Sequence, residues 1–178
     1  MVQLTIDDHC TLRRFRVTDK SRLVELANNP RVSSNLRDAF PYPYTQDDAD
    51  QWFKTALNQQ QQHIFAIAQS DQLIGGIGFH PLDDVYRHTA ELGYWLGEPY
   101  WGKGIMSRAV AVIVQLVFTT TDLTKLFAGV FSNNPASAAV LEKNSFYFEG
   151  RLRNAVVKRG KVLDELRYGL LREEWEKK

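Results

Sequence analysis

Gly102-Lys103-Gly104 is the stretch in which residue types and spacing point most directly to chemistry. It follows a strand-like run, Ala90-Glu91-Leu92-Gly93-Tyr94-Trp95-Leu96, and precedes an amphipathic run from Ile105 to Phe118. Two glycines therefore fall where a strand turns into a helix. Without a Cβ, glycine lets backbone N–H groups converge and lets another group come close. The first turn of a helix adds unpaired N–H groups and the positive end of the helix dipole. The combination suits a phosphate or pyrophosphate. The competing reading is a tight strand-to-helix turn that holds nothing. Two nucleotide motifs fail here. Gly97-Glu98-Pro99-Tyr100-Trp101-Gly102-Lys103 follows the P-loop as far as its lysine, but Gly104 stands where Ser or Thr must hold magnesium. The dinucleotide pattern needs a third glycine where Ser107 stands.

The elements around that turn follow from periodicity and capping. Thr11 to Val17 reads as a strand, with Leu12, Phe15 and Val17 apolar among arginines. Thr18 or Asp19 caps a helix that runs to about Asn28 and buries Leu23, Val24, Leu26 and Ala27; Asn28-Asn29-Pro30 stops it. Val32 to Phe40 is ambiguous, with a short helix as one reading, and Pro41-Tyr42-Pro43-Tyr44 is extended because each proline restricts its neighbour. Thr45 caps a further helix, in which Asp47, Asp48 and Asp50 favour the dipole and Ala49, Trp52, Phe53 and Leu57 form the apolar stripe. Asn58 to Gln62 is a polar run that reads as a helix end or loop. Ile64 to Ala68 and Leu73 to Phe79 form a hairpin turned at Ser70-Asp71, and Gly75, Gly76 and Gly78 mark a bulge or a close approach.

Pro81 to His88 is a loop. In the long helix Ile105, Ala109, Val112, Ile113, Leu116 and Val117 recur at helical spacing. Lys125 to Phe131 is a strand. Asn134-Pro135 opens a helix with a favoured cap and first residue; Ala138, Ala139, Val140 and Leu141 pack it, and it ends near Asn144. Phe146 to Arg151 and Val162 to Leu171 are the last strands, turned at Arg159-Gly160. Strands and helices mix without regular alternation, so the expected class is α+β, or mixed-sheet α/β, in a single domain over residues 1–178.

Composition narrows the function. The 178 residues suffice for one domain with a sizeable core. Lys+Arg 22 against Asp+Glu 21 gives a net charge of +1, which argues against a broad basic surface for nucleic acid. Cys10 has no partner cysteine, so no internal disulfide can form, and the thiol reads as idle or buried. Met1 to Asp8 lacks the basic and apolar regions of a secretory signal, and no apolar stretch is long enough to span a bilayer. The expectation is a cytoplasmic protein.

Two segments together resemble a known family. Ala90 to Leu96 running into Tyr100-Trp101-Gly102-Lys103-Gly104 resembles the acetyl-CoA-binding motif of the GCN5-related N-acetyltransferases, the GNAT superfamily. Asn134-Pro135-Ala136-Ser137, with Leu141 to Phe146 and Glu149-Gly150, resembles their second motif. Leu12-Arg13-Arg14-Phe15, the run Phe40 to Thr45 with Ala49 and Trp52, and Asp164 with Tyr168 are similar to the RimJ/RimL branch, which acetylates ribosomal-protein N-termini. The resemblance spans nearly the whole chain. It implies a central, mostly antiparallel mixed sheet of about seven strands flanked by about four helices.

The resemblance also implies the site. Tyr94, Trp95 and Leu96 would pair with the pantetheine arm through their backbone, the ligand acting as an added strand. The backbone of Gly102, Lys103, Gly104, Ile105, Met106 and Ser107 would hold the pyrophosphate. Asn134 would touch the pantetheine or thioester; its competing role is the helix cap. Direct acyl transfer needs a base for the amine, a donor for the thioester oxygen and an acid for the leaving thiolate. Glu91 is the candidate base, directly or through a water, against a strand glutamate that merely orients a neighbour. Ser137 is the candidate acid, against an ordinary first-turn residue. A backbone N–H of the Tyr94–Leu96 strand is the candidate oxygen donor. Asp164 and Glu165 are weaker candidate bases, Tyr168 is a candidate acid or a core aromatic, and His80 and His88 read as surface residues.

Three departures from the family stand out. Pro99 replaces a common Gln or Arg. Asn144-Ser145 replaces the glycine before Phe146, with asparagine suited to the left-handed turn that ends a helix. Residues Asn154 to Val157 lack the carboxylate that some N-terminal acetylators carry. The expected activity is transfer of acetyl from acetyl-CoA, as co-substrate, to a primary amine on a protein N-terminus or a small molecule. No metal, nucleic acid or membrane is expected, and a second copy in a homodimer is the optional partner. The rival from another class is a non-catalytic acyl-CoA-binding module. Asp47, Asp48, Asp50, Asp83 and Asp84 read as solvated turns and helix starts rather than an acidic acceptor groove.

Overall fold

The computed structural model describes residues 3–57 and 63–177, so the polar run at 58–62 lies outside the described residues. Among these, the strands are β1 (Leu4–Thr5), β2 (Cys10–Arg13), β3 (Ile64–Gln69), β4 (Gln72–Pro81), β5 (Thr89–Leu96), β6 (Lys125–Phe131), β7 (Tyr147–Lys158) and β8 (Lys161–Leu171). The helices are α1 (Lys20–Ala27), α2 (Pro30–Ser33), α3 (Gln46–Ala56), α4 (Ile105–Thr120), α5 (Pro135–Lys143) and α6 (Arg172–Glu176). The sheet is mostly antiparallel, in the order β1-β2-β3-β4-β5-β6-β8-β7, with β5 and β6 parallel. The elements beyond the expected number are β1, of 2 residues, α2, of 4, and α6, of 5. Each is too short for apolar periodicity to mark it. Among the described residues no helix is long and apolar enough to cross a membrane.

The chain forms two compact units, Met1–Gly78 with Tyr94–Ala109, and Phe79–Gly93 with Val110–Lys178. In the first unit, β2 pairs with β3 and β3 with β4, all antiparallel. The β3–β4 hairpin turns where expected, with Ser70 and Asp71 both left-handed at φ 47° and 67°, as a tight hairpin requires. The first strand ends at Arg13 rather than Val17, and buried charge is the reason. The Arg13 guanidinium, 3% exposed, donates to the Asp19 carboxylate at 2.8 and 2.7 Å. Asp19 also accepts from the Arg16 N–H at 2.8 Å. These bonds draw Val17 into a short 3-10 turn, where its side chain is exposed.

Phe15, Leu23, Ala27, Tyr44, Ala49, Phe53 and Ala56 form the core cluster between α1, α3 and the sheet. The end of α3 at Ala56 leaves Leu57 exposed, not in the stripe. Thr45 and Asp48 form the capping box at its start: the Asp48 N–H donates to Thr45 Oγ1 at 3.2 Å, and the Thr45 N–H to Asp48 Oδ2 at 2.7 Å. Between α1 and α3 only Pro30–Ser33 is helical, capped by Asn29, and the Tyr42–Pro43 bond is cis.

In the second unit β6 pairs antiparallel with β8, and β8 with β7. Ala109, Val110, Ile113, Val114, Val117 and Phe118 are buried on α4, whereas Val112 and Leu116 are half-buried, so the buried stripe is turned by one position from the expected one. On α5 Ala138 and Leu141 are buried and Ala139 is exposed. The left-handed residue that ends α5 is Ser145, at φ 63°, not Asn144. Asn144 instead donates its side-chain amide to the Val140 carbonyl at 2.9 Å, and the Phe146 N–H reaches Leu141 at 3.1 Å. β7 extends well past Arg151 to Lys158 and shifts register twice, between Phe148 and Gly150 and between Leu152 and Val156. Arg159 and Gly160 form the expected turn, both left-handed.

The buried pair gives a stability prediction. Asp19→Ala leaves the Arg13 charge buried with only the exposed Asp71 carboxylate nearby, and should cost about 3 kcal/mol. Thr45→Ala at the helix cap should cost about 1 kcal/mol. Urea denaturation compares the two, and an Asp19→Ala loss no larger than that of Thr45→Ala contradicts the account.

Candidate functional site

In the first unit the end of β5 is fixed before any glycine turn begins. A Cβ on Gly75 would lie 2.5 Å from the Trp95 carbonyl oxygen, and one on Gly76 would lie 2.8 Å from Trp95 Nε1. Of the two readings of that glycine run, close approach therefore holds at both positions. A register shift between Ile67 and Ala68 adds the bulge. The Trp95 indole packs on Phe40 with ring centroids 5.4 Å apart. The Gly97 N–H donates to the Ile74 carbonyl at 2.8 Å and closes the strand end.

Glu98 to Tyr100 then form one 3-10 turn that α1 and α2 grip. Asn29 Nδ2 donates to Glu98 at 2.7 Å, Arg31 pairs with the same carboxylate, and Arg22 Nη2 donates to the Tyr100 hydroxyl at 2.8 Å. The Trp101 indole N–H donates to the Leu96 carbonyl at 2.7 Å. Sequence reasoning missed Asn29, Arg31 and Arg22, because their partners lie between 67 and 78 residues away and no local pattern announces them.

Past this clamp both loop glycines are left-handed, Gly102 at φ 73° and Gly104 at φ 70°. An L side chain is disfavoured at either. α4 starts at Ile105, and its first side chains, Ile105 and Met106, are buried while Ser107 is half-buried. Lys103 is exposed, with Nζ 5.5 Å from the centre of the Tyr100 ring. Two left-handed glycines thus stand directly ahead of a helix of 16 residues.

In the second unit Glu91 lies on β5 in parallel register with Phe127 of β6 and is half-buried. Along β5 the residues Ala90, Leu92 and Leu96 are buried, while Glu91, Gly93 and Trp95 alternate onto the less buried face. Asn134 caps α5, its Oδ1 accepting from the Ser137 N–H at 3.3 Å. Ser137 stands half-buried in the first turn. The structure thus brings Asn134 and Ser137 together.

Other candidates are engaged elsewhere. Asp164 is buried, accepts from the Asn154 N–H at 2.7 Å and pairs with Arg151. These contacts, the Asn154 N–H foremost, hold its carboxyl below the usual carboxylate range. Glu165 pairs with Arg167 at 2.7 Å. The buried Tyr168 hydroxyl donates to Glu142 at 3.0 Å, and burial together with that carboxylate pushes its pKa up. His80 and His88 are exposed, and His88 faces Asp122.

Residues 9–147 match the model of the acetyltransferase (GNAT) domain. The chain is 30% identical over 174 residues to the uncharacterized N-acetyltransferase p20 of Bacillus licheniformis, a match that covers 94% of this chain and 96% of that protein. It is 35% identical over 92 residues to the ribosomal-protein-serine acetyltransferase of Escherichia coli, over 52% of this chain and 51% of that protein. Its fold is similar to that of RimL, a ribosomal alpha-N-protein acetyltransferase in complex with coenzyme A, with a TM-score of 0.86 at 22% identity over 97% of this chain and 99% of that chain. With the glycine turn and the strand before it, these matches identify the chain as an acetyltransferase of the GNAT family.

Proposed function

We propose that this chain is one N-acetyltransferase domain over residues 1–178 that moves an acetyl group from acetyl-CoA to a primary amine by direct attack, without a covalent enzyme intermediate. The observation that carries the reading is the pair of left-handed glycines, Gly102 and Gly104, set directly before α4. Both glycines sit where an L side chain is disfavoured, and a Cβ at Gly104 would lie 3.0 Å from Arg108 Nη1, which supports a turn whose backbone is left open to an anion such as a pyrophosphate. When bound, acetyl-CoA supplies a thioester whose carbonyl carbon is open to a neutral amine.

In this reading the backbone of Gly102, Lys103, Gly104, Ile105, Met106 and Ser107 holds the pyrophosphate. Tyr94 and Trp95 offer their backbone to the pantetheine arm and a donor to the thioester oxygen. Leu96 contributes less than its neighbours, because its carbonyl already accepts from Trp101. Asn134 reaches the cofactor through its amide nitrogen, since Oδ1 serves the helix cap. Ser137 protonates the departing thiolate. Tyr168 is the weaker choice, because its hydroxyl proton is committed to Glu142. Glu91 accepts the proton of the ammonium, directly or through a water. Asp164 remains the weaker choice for that role, because its bonds to Asn154 and Arg151 stabilise it as a carboxylate. A protein N-terminus is the first acceptor to test, by analogy with the ribosomal-protein-serine enzyme, and small amines come second.

Two experiments test the reading. Acetyl-CoA should raise the melting temperature of the wild type, since a ligand bound only by the folded state stabilises it. Gly104→Val should remove that shift, and a folded variant that shifts equally refutes the loop assignment. Glu91→Gln should lower turnover about a hundredfold by removing a general base. The loss should shrink as pH rises, because more of the amine is then already neutral. A loss equal at every pH means that Glu91 positions rather than accepts a proton.

A further inference from the structure

The loop between β1 and β2 reaches the glycine turn of the first unit through one ion pair. Asp7 Oδ1 accepts from the His9 and Cys10 N–H groups at 2.9 and 2.8 Å. The Ile6 and Asp7 N–H groups both reach the Cys10 carbonyl, at 2.9 and 3.2 Å. That carboxylate is therefore fixed by its own turn. Its other oxygen accepts from Arg108 Nε at 3.0 Å and lies 2.9 Å from Nη2. The remaining guanidinium nitrogen, Nη1, points to the Lys103 carbonyl at 3.4 Å and sits beside Gly104. The Arg108 N–H donates to the Gly104 carbonyl at 3.2 Å. One residue of α4 thus touches both carbonyls of the Lys103–Gly104 step, and one carboxylate from a distant turn aims it. The acid stays ionised well into the acidic range: the His9 N–H and, after it, Arg108 keep the Asp7 carboxyl below its ordinary value.

We infer that Asp7 and Arg108 are positioning residues for the pyrophosphate loop: the Asp7 carboxylate steers the Arg108 guanidinium onto the Lys103 carbonyl and so sets the backbone of Gly102–Ser107 for its anion. The inference rests on the acetyl-CoA reading above. A rigid planar fork holds a carboxylate on one side and a carbonyl on the other at a fixed spacing, which the compact ammonium of a lysine does not reproduce. Pairing also lowers the net charge that Arg108 offers to an anion. The pair therefore acts on loop geometry at the expense of direct attraction, and the two effects have opposite signs. Removing Asp7 weakens pyrophosphate binding if geometry dominates and strengthens it if a released Arg108 contacts the phosphates itself.

Asp7 and Arg108 border a recess of about 180 Å³ shared with His9, Cys10, Gln69 and Lys103, so their substitution does not open the core. The test measures dissociation constants by calorimetry for the wild type, for the isosteric Asp7→Asn, and for Arg108→Lys, which cuts the same link from the other end. Acetyl-CoA and S-acetylpantetheine, which lacks the pyrophosphate, are the two probes. Each variant should bind acetyl-CoA about fivefold to tenfold more weakly and S-acetylpantetheine as the wild type does. The double variant should be no weaker than the worse single one, because one link is cut twice. Wild-type binding together with unchanged or tighter acetyl-CoA binding by Asp7→Asn overturns this inference alone. Equal losses with both probes overturn it too, since the effect then does not pass through the pyrophosphate. No binding by the wild type removes the cofactor reading and this inference with it.

Discussion

The turn into α4 must hold two residues at positive φ within three positions, at Gly102 and Gly104, and then start a helix at Ile105. Such a turn is intrinsically loose, because glycine gives up the most conformational freedom on folding. An anion site made of backbone N–H groups works only if those groups are already oriented when the anion arrives. Much of the first unit supplies that rigidity. Glu98 is held by Asn29 and Arg31, Tyr100 by Arg22, and the Trp101 indole by the Leu96 carbonyl. On the far side of the turn, Ile105 and Met106 are buried and Arg108 is tied to Asp7. The glycines permit the turn, and long-range side-chain bonds select it from the many conformations that glycine allows.

In the second unit, hydrogen bonding argues against several of the candidate groups. Asp164, Tyr168 and the Asn134 carbonyl are each committed to a partner that shapes the fold: the β7 irregularity at Asn154, the α5 carboxylate of Glu142 and the first turn of α5. A carboxylate whose proton affinity is depressed by such bonds is a poor base at neutral pH. The proposed mechanism therefore assigns the proton transfers to Glu91 and Ser137. β5 also carries the residues proposed for the acyl end of the cofactor. On that strand Glu91 and Gly93 alternate with the buried Ala90 and Leu92.

Much of the fold was legible because its signals are local. The Thr45 capping box, the Ser70-Asp71 hairpin, the start of α4 after Gly104 and the Asn134-Pro135 helix opening each depend on neighbours in sequence. The errors share the opposite character. Arg13 looks like an exposed strand residue until Asp19 buries it, so the strand signal runs four residues past the end of the pairing at Arg13. Leu57 and Ala139 fit a helical stripe but lie where the helix has ended or faces solvent. Asn144 was the better left-handed residue by propensity. Ser145 takes that conformation because Asn144 spends its side chain on the Val140 carbonyl. The glycine turn and the β5 alternation are visible in the sequence, whereas the bonds to Glu98 and the Asp7–Arg108 link are not. Those contacts join segments 67 to 101 residues apart, and only the folded chain reveals them.

The central claim, direct transfer from bound acetyl-CoA to an amine, is tested most directly by initial rates of thiol release with acetyl-CoA and a reactive amine or peptide acceptor varied together. Direct attack requires both substrates on the enzyme at once. The account predicts double-reciprocal lines that intersect, and no acetylated enzyme by intact mass after incubation with acetyl-CoA alone. Parallel lines with a stable acetyl-enzyme would reveal a covalent intermediate and contradict the account.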